Sequence, residues 1–203
     1  MTTTPGNNIQ PIRAAEPVTV TLPATVWKAL CEFTEKPARG RVDLMHIIFM
    51  DCYAYATDGK VLMRWTLEVP MPAGEYLVPV GKLPAGAESV SLTFTEGSLN
   101  VAQAINLKGQ GQLAGGLECL DWAAPALAQV FESARSAEPE ALNNETGVNP
   151  SFLALICKHA AAIMKETLGK RHAWVRPTFK GQGPAFIECQ DPALKFVVMP
   201  MRV

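Results

Sequence analysis

The chain has 203 residues, 48% of them hydrophobic, which is enough for one large or two small packed units and too apolar for an unfolded chain. Lysine and arginine number 18 against 19 acidic residues, so a nucleic-acid binder working through its whole-molecule field is excluded and only a local basic patch is left open. No apolar run reaches the ~20 residues of a membrane helix, and the N-terminus lacks the basic-then-apolar order of a secretory signal, so no membrane partner and a cytoplasmic location are expected.

Residues 1–17 are rich in Thr, Pro, Asn and Gly and read as a flexible arm. VTVTLP then alternates as a short strand, and a helix opens near Pro23, with Val26, Leu30 and Phe33 as its buried stripe, Lys28, Glu32, Glu35 and Lys36 outward, and Pro37 and Gly40 as its stop. HIIFMD and CYAYATDG read as paired strands. VLMRWTLEVP forms a third after the Asp58-Gly59 turn, a strong hairpin signal. GEYLVPVGKL, SVSLTFTEG and SLNVAQAINLKGQGQL supply three further strand-like runs, with a corner at Glu96-Gly97.

A short helix is expected over residues 121–132 and a loop or linker over 133–149. The second clear helix is NPSFLALICKHAAAIMKETLG, capped by Asn149, opened by Pro150 and closed by Gly169. Its apolar face reads Leu153, Ile156, Cys157, Ala160 and Met164. Lys158 and Lys165 stand two turns apart on another face, with Ala161 and Ala162 between them. HAWVRPTFKG, PAFIECQD and KFVVMPMRV close the chain as strands. The expected class is α+β with antiparallel sheets and helices on one face, divided into a unit at 18–132 and a shorter one at 150–203.

Nucleophile, base and stabiliser motifs are missing. His46, His159 and His172 have no metal-ligand spacing, and no GxSxG, P-loop or GxGxxG pattern occurs, so no catalytic residue, metal or cofactor is expected. The KGQGQ and KGQGP runs read as hairpin loops, Asp58 as a turn aspartate rather than half of a carboxylate pair with Asp51, and His159 as either a DNA-facing residue or a surface residue without role. Five single cysteines, an odd number with no CxxC pair, read as buried free thiols.

YATDGKVLMRW (Tyr55 to Trp65) resembles the signature hairpin of the middle domain of bacterial DNA polymerase sliding clamps, and KFVVMPMRV (Lys195 to Val203) resembles the C-terminal strand of that family. LPATVWKALCEFTE, GEYLVPVGKL and NPSFLALICKHA extend the likeness more weakly. The chain is shorter than a three-domain clamp protomer, in keeping with a phage or mobile-element version. The resemblance implies a non-catalytic DNA replication processivity factor with the sliding-clamp fold. It implies a greasy peptide pocket with Thr57, Gly59, Lys60, Val61 and Leu62 on one wall and Val197, Met199, Pro200, Met201 and Arg202 on the other. Its implied partners are clamp-binding peptides of DNA polymerase or clamp loader, and duplex DNA held without sequence specificity by Lys158 and Lys165, with Lys28 and Lys36 as weaker candidates. A homo-oligomer, trimer or dimer, would close the ring.

Plainer readings stand beside these. Val197, Met199 and Met201 also read as core of an edge strand, and the lysines as solvated helix faces. A decoy that binds partner peptides or a host clamp without encircling DNA is the rival function, and an enzyme on an unrelated α+β fold is a third.

Overall fold

The computed structural model describes residues 16–34, 36, 42–95, 98–106, 109–112, 126–140, 146–169 and 173–202. The expected arm (but for residues 16 and 17), the Glu96-Gly97 corner, His172, Cys119, Glu35, and Pro37 and Gly40 lie outside these residues.

The strands, in chain order, are β1 (Val18–Pro23), β2 (His46–Met50), β3 (Tyr53–Thr57), β4 (Val61–Thr66), β5 (Glu75–Pro79), β6 (Ala87–Thr95), β7 (Ser98–Asn106), β8 (Gly109–Gln112), β9 (Thr146–Gly147), β10 (Val175–Lys180), β11 (Gly183–Cys189), β12 (Leu194–Val198) and β13 (Met201–Arg202). Three α-helices accompany them: α1 (Ala24–Phe33), α2 (Leu127–Ser136) and α3 (Pro150–Leu168). A seven-stranded antiparallel sheet has the order β10-β11-β12-β4-β3-β2-β5, a four-stranded sheet runs β1-β6-β7-β8, and β13 pairs with β9. The class is α+β, as the strand and helix patterns predict. None of the described helices is long and apolar enough to cross a membrane.

Turn chemistry explains the central hairpin. Asp58 Oδ1 accepts from the backbone N–H groups of Lys60 and Val61, both at 2.9 Å, and Gly59 takes the left-handed φ of 83° that this turn demands. Asp58 is therefore a turn residue as expected. Asp51 lies in the turn at the other end of β3, so the two carboxylates cannot act together.

Alternation then sorts each strand between two cores. Val61, Met63 and Trp65 of β4, Ala54 and Ala56 of β3, and Phe196 and Val198 of β12 join the larger core, which also takes Val26, Trp27, Leu30 and Phe33 of α1 and Ile156, Ala160, Ile163 and Met164 of α3. Leu62, Tyr55 and Val197 point to the opposite face and join a smaller core with Leu127, Phe131 and Ala134 of α2. Helices thus cover both faces of the large sheet, where one covered face was expected.

Two helices are read well from the sequence. In α3, Asn149 Oδ1 accepts from Ser151 N at 2.9 Å, Pro150 occupies the first turn, and Gly169 is left-handed at φ 61°. The stripe of α1 is buried as expected, but the helix stops at Phe33, where Thr34 turns extended and its hydroxyl donates to Cys31 O.

Other expectations need correction. Cys157 is exposed rather than on the apolar face of α3, because Ile163 and His159 share the buried stripe with Ile156, Ala160 and Met164. Among the described residues Cys189 is the buried free thiol, and burial pushes it up to about 12; Cys31 and Cys52 are half-buried. The short helix runs past the expected 121–132 window into the supposed linker, where β9 also forms. The terminal apolar run is broken into two strands at Pro200, which has no N–H to continue the ladder, as its residue type leads one to expect. The seven-stranded sheet runs on, through β12 on β4, from strands of the 18–132 stretch to strands of the 150–203 stretch, so the two share one sheet.

Candidate functional site

The ATDG hairpin and the C-terminal run meet. β4 and β12 pair antiparallel with Leu62 opposite Val197 and Val61 opposite Val198, and Met199 N donates to Lys60 O at 2.8 Å just beyond the ladder. At this end of the pair lies an open cleft of about 220 Å³, lined by Leu44, Thr57, Gly59, Lys60, Val61, Leu62, Leu127, Val130, Val197 and Met199. Its floor is apolar and buried: Leu62 and Val197 are covered, and Thr57 Oγ1 is engaged in accepting from Gly59 N at 3.0 Å. Its rim is apolar and open, since Met199 and Val130 are 42% and 41% exposed.

Seven of the expected pocket residues, Thr57, Gly59, Lys60, Val61, Leu62, Val197 and Met199, line this cleft. Pro200 and Met201 do not. The chain turns away at Pro200, and Met201 and Arg202 pair with Gly147 and Thr146 of β9 instead of lying across the mouth. Met201 is exposed there. Leu44, Leu127 and Val130 were missed. The spacing of Leu127, Val130, Phe131 and Ala134 is legible as a helix stripe, but nothing local says that this stripe lands beside the hairpin.

Beneath α2, next to Leu62 on the same face of β4, sits Arg64. Its guanidinium carbon lies 3.6 Å from the centre of the Phe131 ring and 4.3 Å from that of Tyr53, and Nη1 donates to Glu132 Oε1 at 3.4 Å. Burial pushes the neighbouring Tyr55 hydroxyl up to about 12, with Arg64 opposing the shift, so Tyr55 stays neutral here.

On the opposite face, α1 and α3 lie against each other. Thr25 Oγ1 donates to Glu166 Oε2 at 2.6 Å, and Glu32 Oε2 meets His159 Nε2 at 2.6 Å and Lys158 Nζ at 3.0 Å. The hydrogen bonds from His159 and then Lys158 hold the Glu32 carboxyl below its usual range. His159 is buried and joins the two helices, which overturns its reading as a surface residue. Lys28, Lys36, Lys158 and Lys165 are all exposed, and Lys158 is in addition paired with Glu32 of α1. Among the described residues, no group of three or more His, Cys, Asp or Glu side chains could hold a metal ion.

No protein-family model matches the chain, and no curated protein does. Solved structures do match over nearly its whole length. The DNA polymerase III beta subunit of Thermotoga maritima superposes with a TM-score of 0.51 at 13% identity, covering 100% of this chain and 70% of that one. The C. crescentus beta sliding clamp, crystallised with PEG bound, gives 0.52 at 13% identity over 98% of this chain and 70% of its own. The Bartonella birtlesii sliding clamp bound to griselimycin gives 0.53 at 13% identity over 98% and 69%. The chain has the sliding-clamp fold of the bacterial DNA polymerase III beta subunit.

Proposed function

We propose that this protein is a sliding-clamp-like DNA replication factor that works by tethering rather than by catalysis. The observation that carries the reading is the cleft between the 57–62 hairpin and Val197 and Met199, where two segments far apart in sequence leave an apolar groove open to solvent. Its buried floor would accept an aliphatic or aromatic anchor from a short peptide, the flexible Met199 would adapt to different anchors, and Lys60 would hold a polar group at the rim. Peptides of polymerase or clamp-loader type are the partners that fit. Several such clefts on one oligomer would raise the effective concentration of a polymerase at its template.

The expected DNA-holding role is assigned to the helix pair, with a change of emphasis. Lys165 and Lys28 are exposed, while Lys158 shares its charge with Glu32 and should contribute less. Such lysines would meet phosphates without reading bases. The two units expected from the sequence, 18–132 and 150–203, and a trimeric or dimeric ring belong to the same proposal. The decoy reading has no observation in its favour.

Titration of a fluorescent QLxLF-type peptide tests the cleft: micromolar binding is expected, with loss in a Val197→Glu variant that stays folded. Equal affinity in that variant would exclude the cleft. Retention on circular DNA tests the helix pair. Lys28→Glu with Lys165→Glu should abolish salt-sensitive retention while leaving peptide binding intact, and sedimentation should show an oligomer.

A further inference from the structure

Helix α2 borders the cleft but is built into the molecule differently from the hairpin and the tail. β4 and β12 are locked by a ladder, whereas α2 rests on side chains. Its two ends differ as well. At the C-terminal end, Glu140 N donates to Phe179 O at 3.0 Å, Gly181 N donates to Glu140 O at 3.1 Å, and Lys180 Nζ donates to Ala137 O, so residues 137–140 are fastened to the hairpin of β10 and β11. Gly181 has a left-handed φ of 58°, a conformation that favours glycine in the turn that meets Glu140. At the end that lines the cleft, Ala126 provides no side-chain cap, and among the described residues no hydrogen bond ties 126–130 to the sheet.

Between the ends lies Arg64. It is buried to about nine-tenths, its Nε has no hydrogen-bond partner, and its one ion pair runs at 3.4 Å to a Glu132 that is half exposed. A buried guanidinium with an unmet donor is costly, and the cost falls on the closed position of α2, which does the burying. Phe131 stacks edge-on against Phe186 at 5.4 Å and over Arg64 at 3.6 Å, so lifting the helix would uncover a second apolar site continuous with Leu62 together with a cation lacking a partner.

Resting on the peptide-cleft reading above, we infer that α2 is a hinged wall of the cleft, pivoting on its 137–140 anchor and latched by Phe131 and Glu132 on Arg64, and that opening it gives a partner peptide a second apolar anchor site beside Phe186 and a cation for one of its carboxylates. Closed, the cleft takes one anchor. Open, it takes two, and the Arg64 donor left unmet by the protein is satisfied by the peptide. A ten-residue helix lifted from its packing is too short to hold its own hydrogen bonds, so opening should be visible as fraying.

The test is amide hydrogen exchange and peptide titration on the full chain, with Glu132→Ala and Phe131→Leu as latch variants. Without peptide, both variants should exchange faster over 127–136 while β4 and β12 keep native protection. With saturating QLxLF-type peptide carrying an acidic residue, the native protein should lose protection in α2 and gain it over 57–62, and Glu132→Ala should bind about fivefold tighter because more of the open state is present beforehand. A version of the peptide with that acid replaced by its amide should bind more weakly. Peptide that slows exchange in α2, or binds both variants no better than native, overturns the hinge and leaves the cleft standing. Failure of every form to bind removes the cleft and the partner role of α2 together, and unchanged α2 exchange in the free variants removes the latch itself.

Discussion

The two faces of the seven-stranded sheet are drawn from alternating residues of the same strands, yet one is sealed and the other ends in an open cleft. On the face covered by α1 and α3, Met63 and Phe196 oppose each other across β4 and β12, and both are fully buried beneath two helices joined through Glu32 and His159. On the other, Leu62 and Val197 oppose each other one residue along, under one short helix that stops at the cleft. Period-two alternation decides which face a side chain joins, and the number of helices above that face decides whether it becomes core or site.

Substitutions on either side should therefore separate stability from binding. Phe196→Ala removes a fully buried ring and should lower unfolding free energy by ~3–5 kcal/mol in chemical denaturation. Met199→Ala, at the cleft rim and 42% exposed, should change stability by no more than about 0.5 kcal/mol while weakening peptide binding about tenfold by fluorescence anisotropy. If both losses track each other in the two variants, the faces are not separate. Asn149→Ala deletes the cap of α3 and should cost ~1 kcal/mol with no change in peptide affinity.

Acid supplies the smallest and most local probe. Glu32 is held below its usual value of 4.5, so its contribution to the α1–α3 contact is complete above 4.5 and is lost as pH falls through the lower folded value. Denaturation profiles of native protein and Glu32→Gln should therefore differ at neutral pH and converge below that range. Peptide binding at constant fold should not follow the same curve, because Glu32 lies on the face away from the cleft.

Much of this architecture is legible locally. The Asp58-Gly59 turn, the Asn149-Pro150 opening and Gly169 exit of α3, and the stripe of α1 each depend on neighbours within a turn or two of chain, so residue type alone predicts them. Seven of the ten residues lining the cleft are ones that the resemblance of hairpin and tail to clamp segments names. Its failure begins one residue after Met199: whether the tail crosses the cleft or pairs elsewhere depends on Thr146 and Gly147, more than 50 positions upstream.

Sterics, capping and burial periodicity act over a few residues, so the strand alternation, helices α1 and α3 and the apolar character of hairpin and tail can be read from residue order. Tertiary structure alone decided that α2 lands beside Leu62, that His159 is buried against Glu32 and that Met201 turns away from the cleft. Those outcomes are contests between distant surfaces for the same partner, and no local pattern records which surface wins.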